Sequence, residues 1–150
     1  MQKNHQSHST AQCQAEEYLR IKLNEVEGLN LKPQKIQLLD NTYIEPDGYD
    51  EEAKTLCEIY ARIGKLKSSQ RKKLASDILK MLLVEQSKGY QIRKILCFAS
   101  EEAKKYLDSN SWLNYAKEKF KIETIVIQLT PELEKQVLEA QKSQKMVNQT

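Results

Sequence analysis

Asp47 sits between Pro46 and Gly48, and Glu58 falls eleven positions later inside the apolar run Thr-Leu-Cys-Glu-Ile-Tyr. Two carboxylates brought together repel, and such a pair relaxes by holding one proton or by sharing a cation. Their hard oxygens suit Mg2+ or Mn2+, ions that keep several waters of their own. An ion held this way can activate water and neutralise the charge that develops on a phosphodiester during hydrolysis. The residues that follow include six cations, Arg62, Lys65, Lys67, Arg71, Lys72 and Lys73, with Gln70 among them. Such a cluster makes sequence-independent, salt-sensitive contacts with phosphates.

For the two carboxylates to meet, strands must carry them. Residues 36–39 and 42–44 have the β-branched and aromatic content of strands, with Asp40-Asn41 as the turn between them. Pro46-Asp47-Gly48 closes the second strand, because proline cannot donate to a ladder. Residues 50–52 form a polar turn into a strand at 55–63, which alternates. Cys57, Ile59, Ala61 and Ile63 make its apolar core face; Leu56, Glu58, Tyr60 and Arg62 lie on the other, which displays Glu58. These strands are expected to form an antiparallel meander with Asp47 beside Glu58.

Helices should frame that meander. Ser9 or Thr10 caps a helix to Glu27, with Ala15, Leu19, Leu23 and Val26 on one stripe and Gly28 as its stop. Glu16 and Glu17 lie mid-helix, and only one of them can face the rest of the chain. Ser68 or Ser69 caps a second helix to about residue 88, burying Leu74, Ile78 and Leu82 with Ala75, Leu79 and Leu83 beside them. A strand at 92–98, a helix from Glu101, a short helix through Trp112, Tyr115, Ala116 and Phe120, and a β-prone strand at 122–129 follow. Thr130-Pro131 then opens a helix to about residue 143. The order predicts an α/β fold, a mixed sheet of about five strands flanked by helices, whose last two strands arrive through helical crossovers and run parallel to a neighbour.

The 150 residues suit one domain, residues 10–144, between polar tails at 1–9 and 145–150. His5 and His8 in the first tail have no nearby residue to complete a ligand set. Three well-separated cysteines without a C-x-x-C pair argue against a disulfide framework or zinc knuckle and for a reducing, cytoplasmic setting. No apolar run reaches the length of a membrane span, and the N-terminus lacks the apolar core of a signal peptide. The net charge of +3 leans weakly toward polyanions.

Pro46-Asp47 followed by Glu58-Ile59-Tyr60, on this order of elements, resembles the PD-(D/E)XK nuclease superfamily, which has the restriction endonuclease-like fold, across roughly residues 15–129. The resemblance implies that Asp47 and Glu58 are metal ligands and that a first-helix glutamate, Glu17 before Glu16, completes the set. It implies a Mg2+- or Mn2+-dependent hydrolase of DNA. The chain departs from the family at Tyr60, which stands where the motif lysine belongs. Arg62 or Lys72 is the expected substitute, with Lys65, Lys67 and Lys73 within reach; Gln70 resembles a glutamine that some branches place near the metal. Tyr60 is either a hydrogen-bond donor to water or phosphate, or a packed aromatic. The missing lysine also motivates the alternative of a catalytically impaired nuclease fold that binds nucleic acid or a partner protein. In a third reading Asp47 is a turn residue and Glu58 a paired structural carboxylate. Cutting both strands of a duplex from a chain with one site would need a homodimer.

Overall fold

The run Thr55–Tyr60 (β4) is buried along its whole length, and the rest of the chain is assembled on it. In the computed structural model, which describes residues 2–109 and 111–148 and the side chains of 10–109 and 111–146, β4 lies inside a four-stranded sheet. β3 (Gly48–Asp50) pairs with it antiparallel on one side. β5 (Arg93–Phe98) pairs parallel on the other side and carries β6 (Ile122–Val126), also parallel. The parallel pairs follow from the helical crossovers that separate these strands, as expected.

Helices cover both faces. On one, α1 (Gln2–Glu27) and α5 (Pro131–Asn148) set Ala15, Leu19, Leu23 and Val137 against Cys57, Ile59, Ile95 and Cys97. On the other, α2 (Ser68–Lys88) packs Leu74, Ile78 and Met81 against Leu56, Tyr60, Leu96 and Phe98. That second layer continues through α3 (Glu101–Lys104), the 3-10 turn Lys105–Asp108 and α4 (Trp112–Lys119). The architecture is an α/β sandwich, and among the described residues no helix is long and apolar enough to cross a membrane.

Several expectations need correction. The expected single mixed sheet of about five strands is two sheets: β1 (Ile36–Leu39) and β2 (Thr42–Ile44) form a separate antiparallel ribbon and do not join β4 in a meander. The segment next to β4 is instead Gly48–Asp50, read from sequence as the end of a strand and a turn. Its ladder is extended by a bridge between Tyr49 and Lys32. Glu58 is not displayed opposite a core: with helices on both sides of the sheet its face is a core as well, and the residue is 7% exposed. α2 is capped by Lys67 with the Gln70 side chain, not by Ser68 or Ser69. Its buried stripe holds Asp77, Met81 and Val84 where Leu79 and Leu83 were expected, and those two leucines are exposed. α1 begins at Gln2 and α5 ends at Asn148, so helix runs into both stretches read as tails. The side chains of His5 and His8 fall outside those described.

Candidate functional site

Pro46 prevents β3 from extending backward along β4, and the Asp47 side chain takes over where the ladder stops. The backbone N–H of Ile59 donates to Asp47 Oδ2 at 2.7 Å. Gly48 is opposite Cys57, so Asp47 comes level with Glu58, and the two carboxyl groups share a hydrogen bond. Gly48 makes this approach possible, since a Cβ there would lie 2.7 Å from Cys57 Sγ and 3.0 Å from Leu31 Cβ. Burial, followed by the charges of Asp47 and Asp77, raises the Glu58 carboxyl to about 9. At neutral pH it therefore carries the proton that joins it to Asp47, as two confined carboxylates do without a cation.

The lysine near this pair comes from α2. Lys73 Nζ lies 3.1 Å from Asp77 Oδ2, 4.0 Å from Glu58 Oε2 and 4.7 Å from the centre of the Tyr60 ring. Burial pulls the Lys73 ammonium down, but Asp77, Asp47 and Glu58 outweigh it and hold the group above its ordinary value. Asp77 also accepts a 2.5 Å hydrogen bond from the Tyr60 hydroxyl. Tyr60 is buried and stacked on Phe98 at 5.3 Å, and burial, then Asp77, pushes its hydroxyl far up. Its hydroxyl is thus committed to holding Asp77, and Asp77 in turn fixes Lys73.

These groups open into a cleft of about 460 Å³ at the C-terminal end of β4, where open α/β sheets commonly place binding crevices. The α2 side contributes Lys67, Ser69, Gln70 and Lys73, with Arg62 from the preceding loop. Gln12 and Glu16 face them from α1, and Val137, Ala140, Gln141 and Gln144 from α5. Gln141 anchors α5 to the loop after β4, accepting from Ile63 N at 2.9 Å and donating to Ile63 O at 3.1 Å.

The structure sorts the residues expected from sequence. Asp47, Glu58, Tyr60, Arg62, Lys67, Gln70 and Lys73 come together, although Arg62 Nε donates to Lys65 O and burial lowers its guanidinium. Glu17 is exposed and does not line the cleft; Glu16, one residue earlier, does, because α1 turns it toward the sheet edge. Burial, partly offset by the hydrogen bond from Gln12, and then the Asp47 charge raise the Glu16 carboxyl. Lys72 and Lys65 are exposed outside the cleft, and Arg71 is drawn away to Leu66 O and to the ring of Tyr106. Asp77, Gln12, Gln141 and Gln144 were not anticipated. Asp77 left one trace, a carboxylate four residues after Lys73 on the apolar stripe of α2.

Asp47 and Glu58 are the carboxyl pair in this site that could contribute oxygens to a divalent ion. No cluster of three or more His, Cys, Asp or Glu able to hold a metal exists among the described residues, so an ion there would complete its shell with water, as magnesium readily does. No protein-family model, curated protein or solved structure matches the chain.

Proposed function

We propose that the chain is a metal-dependent hydrolase of phosphodiester bonds in DNA, with a restriction endonuclease-like core and a PD-(D/E)XK site whose lysine has moved from the strand to α2. The observation that carries this reading is the proximity of Asp47, Glu58 and Lys73, with Asp47 and Lys73 lining an open cleft and Glu58 buried next to them. Asp47 and Glu58 would hold the Mg2+ or Mn2+ ion, with Glu16 across the cleft as a further carboxyl. When bound, such an ion supplies positive charge against the phosphoryl oxygens and eases deprotonation of water. Lys73 is not the base: its raised value keeps it protonated, so it donates to a phosphoryl oxygen and stabilises the charge that builds there. Asp77 and Tyr60 position that ammonium. Lys67 and Arg62 meet flanking phosphates along the cleft.

Cutting of single-stranded circular DNA, and of negatively supercoiled plasmid with its unpaired stretches, in Mg2+ or Mn2+ tests the assignment. Wild type should cut, and Asp47→Ala, Glu58→Ala and Lys73→Met should not; cutting that survives Glu58→Ala refutes the site. The second reading, a nuclease fold that binds DNA without cutting it, is favoured by one observation, the absence of a third metal-binding group beside the carboxylate pair among the described residues. It predicts salt-dependent DNA binding with no nicking in either metal.

A further inference from the structure

The two walls of the cleft differ in chemistry. Cations line one side, Arg62 and Lys67 from the loop before α2 and Lys73 from α2 itself. The other side, from α1 and α5, presents no cation: it offers the amides of Gln12 and Gln144, the carboxyl of Glu16 and an apolar strip of Val137 and Ala140. These walls belong to opposite faces of the sheet, so they confront each other across the end of β4.

A nucleic-acid backbone fits only the first wall, since Glu16 repels phosphate from the second. What lies against the second wall must offer flat apolar faces and hydrogen-bonding edges, which describes bases. Gln12 donates to Glu16 at 3.0 Å and its amide oxygen accepts from no described residue, while the Gln144 amide makes no hydrogen bond to a described residue. Both can therefore donate or accept at a base edge. In a duplex the base edges are turned toward the opposite strand, and the second backbone would have to occupy the amide wall. A cleft of about 460 Å³ has the size of a small-molecule pocket, enough for a short length of one strand.

We propose that the substrate is single-stranded DNA, threaded with its phosphates on the Arg62–Lys67–Lys73 wall and its bases on the Gln12–Gln144 wall. This rests on the reading of the cleft as a nuclease site and specifies what that site accepts. Intact duplex is excluded by the amide wall, and a duplex enters only where its strands have separated.

The test is binding of labelled single-stranded DNA and of the blunt duplex of the same sequence, followed by anisotropy with calcium replacing magnesium, and cutting of both with manganese. Single strand should bind about tenfold tighter or more, and Gln12→Ala combined with Gln144→Ala should reduce that preference about tenfold, the scale of one lost base contact. Both substituted residues lie on the surface-facing cleft wall, and an unchanged circular dichroism melt confirms that the variant folds. Duplex bound as tightly as single strand overturns the proposal, and so does a preference that survives the double substitution. A single-strand preference that depends on the two glutamines but comes with no cutting upholds the proposal and refutes hydrolysis. Binding of neither DNA overturns both.

Discussion

Replacing Glu58 by glutamine separates its charge from its shape. In the metal-free chain burial, then Asp47 and Asp77, hold the Glu58 carboxyl at about 9 against an ordinary 4.5. Between these values the folded chain keeps a proton that the unfolded chain has released. This contribution to stability is thus fully present below pH 4.5, declines as pH rises and is lost above about 9. At about 1.4 kcal/mol per pH unit, the metal-free fold is about 3 kcal/mol less stable at pH 7 than at pH 4.5 on account of this one group. Glutamine keeps a donor for Asp47 and has no proton to lose. Glu58→Gln should therefore melt about 5 to 10 °C above wild type at pH 7 and converge with it near pH 4.5. Manganese should close most of that gap. An ion that binds only the folded chain at about 100 times its Kd adds about 2.7 kcal/mol, a gain the variant largely forgoes. Circular dichroism melts across this pH range, with and without manganese, read both effects. A variant that melts below wild type at pH 7, or that responds to manganese as wild type does, refutes the account of Asp47 and Glu58 as a strained pair awaiting a cation.

Lys73→Met should lower DNA cutting by about 100- to 1,000-fold, the loss expected for one donor to a developing oxyanion, whereas Lys72→Met should change it by less than about threefold; the reverse ranking in a gel assay would return the role to Lys72. Tyr60→Phe removes the hydroxyl that holds the buried Asp77, so denaturant unfolding should show a loss of about 1 to 3 kcal/mol, and cutting should fall as Lys73 loosens. Unchanged stability would mean that Asp77 does not depend on Tyr60. Gly48→Ala places a methyl 2.7 Å from Cys57 Sγ, which should cost about 1 to 3 kcal/mol in urea unfolding and weaken metal binding by shifting Asp47. A variant as stable as wild type would show that the strands have room to part there.

Most of the order of elements was legible in local pattern. Gly28 and Gly89 stop α1 and α2 in the left-handed conformation, Thr130 accepts from Leu133 N at the start of α5, and the alternation of 55–60 separates Cys57 and Ile59 from Glu58 and Tyr60. β3 was not legible, because three residues Gly-Tyr-Asp have little strand preference of their own and take their conformation from pairing with β4 and Lys32. The expected exposure of Glu58 failed for a related reason. Alternation gives two faces to a strand, but only the packing of α1 and α5 on one and α2 on the other makes both of them interior.

The carboxylate pair itself is written in the chain: Pro46 ends the ladder, Gly48 permits the approach, and Glu58 interrupts an apolar strand, all local facts about residue type and spacing. Which cation serves that pair is not. Arg71, Lys72 and Lys73 are consecutive, and a rotation of about 100° per residue separates the one that reaches the site from the two that do not. That rotation is set by the burial of Leu74, Ile78 and Met81 and by the bond from Tyr60 to Asp77, contacts with a strand many residues away. The same holds for Glu16 over Glu17, and for the glutamines of α5, which meet the site only because the last helix folds back beside the first. Residue types and spacing supply the chemistry available to this protein; the phase of each helix against the sheet selects which residues take part, because that phase is fixed by long-range packing and not by neighbours in the chain.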